Sequence, residues 1–404
     1  MPLFLRALAA LFLLPSMSAM ALTADHYELA LRPDHAAQVL EGHARIRLKA
    51  DGEAARAIDF ASPNLQITRV TVDGQALPFE KTATGWRIPL SATPAWLELD
   101  YRAPAADGLV FGEQHVYTAF HTCQWLPCVG SDLSRATIAI SLDLPAGQRS
   151  VASGGARPYP LYTLGFAAGR FSETIDPNDA RLRYLSVTDD AAALHAKFKD
   201  SARVLAFLED KAGVPLPPAV YTQVLVPGGV AQELSSFSVI GKRMLDGIAS
   251  DPEDDWVVVH EMAHQWWGNL VTCASWSEFW LNEGIVVFMT AAWNQQRWGE
   301  AGYKREIDGA RERWQRAKAA GFDKPLSWAG DYPNLRTRRD IQYGKGAVFM
   351  HALREEIGEQ AFWDGLRRYT RDNAGRGVRS ADLQAAMERS AGRTLQPLFD
   401  RWVY

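Results

Sequence analysis

Cysteine is scarce in this chain: three among 404 residues, Cys123, Cys128 and Cys273. None stands in the Cys-x-x-Cys spacing of a zinc knuckle, which excludes that kind of structural metal site. The sequence permits one disulfide, between Cys123 and Cys128, in an oxidising compartment; three packed thiols are the alternative. Excess positive charge is absent as well. Lysine and arginine number 43 against 47 aspartates and glutamates, for a formal net charge of -4, so a nucleic-acid partner has no electrostatic footprint. No internal repeat or low-complexity segment stands out, and beyond the N-terminus no apolar run reaches the roughly 18 residues of a membrane span. What is present, 47% hydrophobic and 22% charged residues, is the balance of a globular protein. The length favours two domains over one core.

Residues 1–21 read as a secretory signal. One positive charge precedes an apolar core from Ala7 to Leu14, and Ala19-Met20-Ala21 offers small residues for cleavage. The mature protein is therefore expected to be periplasmic or secreted, with no stable membrane insertion after cleavage. Residues 22–190 then show strand after strand. Segments 26–32, 43–49, 65–72, 95–101 and 136–144 alternate polar and apolar residues between Gly, Pro, Asp and Asn turns. Strict alternation implies one wet face and one buried face, as in an antiparallel sandwich. Near Asp189 the period changes: 191–213 reads as a helix, 220–226 as a strand, and the chain from Asp251 onward as almost wholly helical. The expected fold is α+β, with an N-terminal antiparallel β-domain over 22–190 and a mainly helical domain over 191–404.

The chemistry concentrates in the second half. In His260-Glu261-Met262-Ala263-His264 the two histidines lie about 40° apart on a helical wheel, so both imidazoles can reach one metal ion. Glu261 is then placed to deprotonate a water activated by that metal. Glu283, in Trp280-Leu281-Asn282-Glu283-Gly284, is a candidate third ligand. Two histidines and one glutamate with an open fourth position form the ligand set of a catalytic zinc site. Asp251 is expected to cap the metal helix, with Pro252 at its first position and Gly268 at its end. From Trp256 to Trp267 the helix has almost no polar face, so Trp266 and Trp267 read as core and the histidines as buried. Glu278 is a candidate acceptor for a ligand imidazole, with a surface carboxylate as the simpler reading.

These runs, extended through Gln265-Trp266-Trp267-Gly268-Asn269-Leu270-Val271-Thr272, resemble the zinc signature of the aminopeptidase N family of gluzincin metallopeptidases, which includes leukotriene hydrolase. Tyr343-Gly344-Lys345-Gly346 is similar to the family's Tyr-x-Lys-Gly motif. Leu126-Pro127-Cys128 with Asp132, and Phe399-Asp400-Arg401-Trp402, resemble its β-domain segment and the end of its catalytic domain. The resemblance implies a thermolysin-like catalytic domain that binds one zinc ion per chain through His260, His264 and Glu283. It implies Glu261 as general base, Tyr343 as donor to an oxyanion, and peptides as substrates. Glu233, in Gly229-Val230-Ala231-Gln232-Glu233-Leu234, would bind the substrate's α-amine, although Leu234 stands where the family has Asn and the glycine is displaced by one. The stretch 117–121 shows no counterpart of the glutamine that the family's β-domain places by the amine. The resemblance further implies a short form without the C-terminal helical domain of larger relatives, and so a more open cleft. Two other readings stay open: a zinc peptidase indifferent to a free amine, and a zinc-bearing binding protein that hydrolyses nothing.

Overall fold

The computed structural model describes residues 22–50, 56–245, 247–248 and 255–404. The expected leader over 1–21 and the expected cap at Asp251 and Pro252 lie outside the described residues. The first half is built on a seven-stranded sheet with central strands Leu22–Asp34, Val39–Ala50 and Trp96–Pro104. Alternation buries Tyr27, Leu29, Leu31, Ala44, Ile46, Leu97, Leu99 and Tyr101 on one face. The other face carries charged pairs such as Arg45 with Glu98, of the exposed kind that contributes little stability. A four-stranded antiparallel sheet of Arg149–Ala152, Phe166–Gly169, His115–Thr118 and Leu109–Phe111 lies in the same half, and Val116, Phe166 and Ala168 join the same core.

One pair departs from the antiparallel expectation. Leu22–Asp34 runs parallel to Arg135–Leu142. A parallel partner needs a long crossover, and about a hundred intervening residues, most of the half-domain, supply it.

A second sheet carries the chain towards the helices. Its order is Ser172–Ile175, Leu182–Ser186, Tyr221–Val226, Phe237–Gly241, Ala231–Leu234. Leu182–Ser186, which precedes residue 190 and pairs on its other side with Ser172–Ile175, hydrogen-bonds to Tyr221–Val226, which follows it, so this sheet spans the change of period. Tyr221–Val226 and Phe237–Gly241 are buried along their whole length, as strands covered on both faces must be. Among the described residues, Ala231–Leu234 forms one edge and pairs only with Phe237–Gly241.

The helix expected over 191–213 is two helices, Ala191–Lys197 and Ser201–Ala212. Asp190 caps the first through Ala193 N–H. The break falls where Phe198 turns inward and stacks on Tyr184, centroids 4.4 Å apart. The metal helix is Trp256–Ala263, and all of its side chains after Trp256 are buried. Trp256 itself, expected in the core, is 37% exposed at the first turn of the helix and meets the His260 ring edge-on. The remaining core forms around Trp280–Ala319, which breaks at Gly299, and Gly346–Ile357, Glu359–Asp372 and Ser380–Ala391. No helix among the described residues is long and apolar enough to cross a membrane.

Candidate metal centre

The metal helix and Trp280–Ala319 bring His260, His264 and Glu283 together. His260 Nε2 and His264 Nε2 stand 3.2 Å apart. Glu283 Oε2 lies 3.3 Å from the first and 3.5 Å from the second. Donors about 2.0–2.1 Å from one tetrahedral centre are separated by about 3.3–3.4 Å, so this triangle has the size that zinc requires. All three side chains are buried, and among the described residues theirs is the one cluster of this kind. Glu283 Oε2 has no hydrogen-bond partner despite its imidazole neighbours. A buried carboxylate oxygen without a partner is costly, and a cation at the centre of the triangle removes that cost. The donor set therefore fits zinc.

The supports of the triangle are local. His264 Nδ1 donates to the Trp267 carbonyl at 2.9 Å, which turns Nε2 towards the other donors. The α-helix stops at Ala263, five residues before Gly268, and the chain folds back through tight turns. Gly268 has φ +141°, and a Cβ there would lie 2.9 Å from His264 Nδ1, so any side chain would press on the ligand ring. Gly284 and Gly346 serve the same end across the helix pair. A Cβ on either would meet the Cα of the other at 2.8 Å. That close approach sets Glu283 beside Tyr343.

Tyr343 sits on a π-helical turn, Asp340–Lys345. Its ring is nearly parallel to His260, centroids 6.2 Å apart. Burial, then the Glu283 charge, raises its pKa well above the ordinary value, so it stays a donor. Lys345 is a structural anchor, with Nζ 3.0 Å from Asp323 Oδ1 and 2.8 Å from the Lys324 carbonyl. Glu261 is buried, and its Oε2 has no partner. Its pKa stands well above the carboxylate range, through burial first and the Glu233 and Glu283 charges next, while His264 opposes.

Glu233 lies on the edge strand, buried. Burial pushes it up to about 7; His264 opposes the rise and Glu283 adds to it. The strip is tied to the metal segment by Gln265, whose Oε1 accepts from Ser236 N–H at 3.1 Å and whose amide donates to the Leu234 carbonyl at 3.0 Å. Asn269 donates to the same carbonyl. Both residues stand in the zinc signature, yet spacing alone says nothing of their role.

Several readings change. Glu278 neither supports an imidazole nor lies on the surface: it is buried and accepts from Ser380 N–H and Oγ, at the start of a helix 102 residues away. Trp266 and Trp267 are core, their indoles donating to the Val214 carbonyl and Thr370 Oγ1. Cys123 and Cys128 form a disulfide, and Cys273 is a buried free thiol. The β-domain meets the metal domain through Arg135, which binds Thr272 Oγ1 at 2.7 Å and the Asn269 carbonyl at 3.1 Å. Asp132 accepts from the Trp276 indole.

Known proteins share this architecture. The chain is 22% identical over 94% of its length to "Probable aminopeptidase 2" of Sulfurisphaera tokodaii, of which the match covers 53%. It is 27% identical over 60% of its length to "Aminopeptidase N" of Lactococcus lactis, covering 30% of that protein. The chain thus spans about half the length, or less, of these curated relatives. Among solved structures, an M1 zinc metallopeptidase from Deinococcus radiodurans superposes with a TM-score of 0.78 at 22% identity, covering 95% of this chain and 94% of that one. The peptidase family M1 domain matches residues 198–402, half of the chain and all of the metal centre, and the chain belongs to that family.

Proposed function

We propose that this protein is a zinc-dependent aminopeptidase that removes N-terminal residues from peptides, with one zinc ion per chain held by His260, His264 and Glu283. The carrying observation is the triangle of donors at 3.2, 3.3 and 3.5 Å beside the partnerless Glu261 oxygen. Zinc bound there supplies a Lewis acid for the scissile carbonyl and lowers the pKa of water. Glu261 takes the proton of the attacking water and passes it to the departing amine, a role that suits a carboxylate with a raised pKa. Tyr343 donates to the oxyanion as it develops. Glu233 faces the α-ammonium of the substrate, and the open edge of Ala231–Leu234 receives the peptide backbone by strand addition. The names of the curated relatives support this reading. So does a Deinococcus radiodurans relative solved with a Tyr-Ser-Ala substrate, at 23% identity.

An amine rule separates this reading from an endopeptidase-like one. Acetylating the substrate leaves Glu233 buried without its partner, a loss of the order of 2–5 kcal/mol. An aminoacyl-arylamide should therefore turn over at least about 30-fold faster, in kcat/KM, than its N-acetyl twin. Equal rates for the two would transfer support to the reading without a free-amine requirement.

Export belongs to the same proposal. The leader pattern and the Cys123–Cys128 disulfide both suit an oxidising, extracytoplasmic compartment. N-terminal sequencing of protein recovered outside the cytoplasm should begin at Leu22. An intact Met1 on that protein would show that the leader is not removed.

A further inference from the structure

A substrate held by its amine at Glu233 and by its scissile carbonyl at the metal must send its first side chain in a third direction. A groove of about 430 Å³, lined by Trp276, Trp328, Tyr332, Leu335 and Arg338 among others, lies next to the metal centre. We infer that this groove receives the side chain of the substrate's N-terminal residue and that Arg338 selects an acidic one; this rests on the aminopeptidase reading above. Two contacts tie the groove to the reacting centre. The Glu283 N–H donates to the Phe279 carbonyl at 3.1 Å, so the ring beside Trp276 stands one helical turn before a metal ligand. Gln342, the neighbour of Tyr343, donates to the Trp276 carbonyl at 3.1 Å. A third contact fixes the side of the metal on which the groove lies. Tyr162 packs its ring on Trp276 and Phe279, centroids 5.3 and 6.5 Å away, while its carbonyl accepts from Gln232, next to Glu233, at 3.1 Å. The Trp276 wall is therefore on the amine side.

Arg338 is held in the groove with its fork free. Its guanidinium carbon lies 5.6 Å from the Trp276 ring centroid and 5.2 Å from that of Phe279, aromatic surfaces that orient a cation without neutralising it. Nε donates to Gln342 Oε1 at 2.8 Å, and among the described residues no carboxylate pairs with this side chain. The two terminal nitrogens are left, and a guanidinium edge matches a carboxylate in a bidentate geometry. Asp331 is the one acid in the lining, and it is exposed. Tyr332 lines the same groove, and its buried hydroxyl has no hydrogen-bond partner; such a group is stabilised by an acceptor brought in with a ligand. A pocket whose polar groups are completed by one substrate discriminates against an analogue that leaves them unpaired. Aromatic walls with a single unpaired cation thus favour glutamate or aspartate at the N-terminus over neutral residues of the same shape.

The test uses the full-length, zinc-loaded chain and a matched pair of substrates, glutamyl- and glutaminyl-arylamide, which differ in charge and hardly in shape. The parent should favour the glutamyl substrate by at least about tenfold in kcat/KM. Arg338→Gln should bring that ratio to within about twofold of unity. Glutamine places an amide nitrogen as many bonds from Cα as arginine Nε, so the buried Gln342 Oε1 keeps a donor while the charge is lost. Being a ratio, the preference is untouched by any loss common to both substrates, which is what a merely structural role would produce. A preference that survives in Arg338→Gln would overturn the role of Arg338. A parent that turns over neutral arylamides as fast as the glutamyl one would overturn the inference without any variant, and leave the aminopeptidase reading standing. If the zinc-loaded chain hydrolyses no aminoacyl-arylamide of either kind, the aminopeptidase reading fails and this inference falls with it.

Discussion

Replacing Glu261 by glutamine should lower kcat by about 10²–10⁴-fold, the range typical of a lost general base, while the chain keeps its zinc. The substitution is nearly isosteric, so the packing of the metal helix around Val257, Val258, Val259 and Met262 is undisturbed. Glu261 is not one of the three donors, and its Oε2 makes no hydrogen bond that the amide would break. What disappears is a proton acceptor. Burial and two neighbouring carboxylates raise its affinity for a proton, which brings the group closer to the pH at which it must both accept and release one. An amide can do neither. On the proposed reading KM is set by contacts elsewhere, along the strip and at Glu233, so it should change little. Zinc content equal to the parent's, with turnover reduced, is the signature to look for. Full turnover in the variant would remove Glu261 from the chemistry, and loss of zinc would make it a structural partner of the site.

Tyr343→Phe should cost about 10²–10³-fold in kcat, the usual loss when one oxyanion donor is removed. The ring survives the change, so its near-parallel packing with His260 and the π-helical turn that carries it should both persist. Zinc affinity should stay that of the parent. The burial and Glu283 charge that hold the Tyr343 proton in place keep the hydroxyl a donor across the range in which the protein folds. A donor of this kind acts when negative charge develops on the substrate oxygen, so the loss should appear in kcat and kcat/KM alike, with KM nearly constant. Unchanged kcat in Tyr343→Phe would leave the tyrosine as a packed wall beside His260.

The parts of the site that were legible in the amino-acid sequence are the parts that local geometry dictates. His260 and His264 share a helix face because they are four residues apart, and a base beside the first histidine needs no tertiary information. The glycines of the two motifs were visible as letters, but their purpose was not. Gly268 makes room for the His264 ring, while Gly284 and Gly346 allow a backbone approach that no spacing rule describes. The residues that eluded the sequence act across long separations. Asn282 meets Tyr162 over 120 positions, Gln232 meets Phe120 over 112, and Gln265 meets the strip over roughly 30. Polar residues of this kind look like ordinary surface until the fold buries them. Glu278 is the same lesson in reverse, a buried carboxylate that serves a distant helix terminus and not the metal site.

The fold follows a similar division. Alternation and turn residues marked the strands of the first half, and burial follows that alternation in Trp96–Pro104. Pairing partners were out of reach, so the parallel match of Leu22–Asp34 with Arg135–Leu142 and the sheet that joins 172–186 to 221–241 emerge only in three dimensions. The helix expected over 191–213 is interrupted at Phe198, whose ring stacks on Tyr184, a long-range contact that the sequence does not display.

The most direct measurement is turnover of an aminoacyl-arylamide by the full chain as a function of its zinc content, after stripping by a chelator and titration back with the ion. Activity should fall to background in the stripped protein, return in proportion to added zinc, and saturate at one ion per chain. Undiminished turnover by protein shown to be free of metal would contradict a hydrolytic centre at His260, His264 and Glu283.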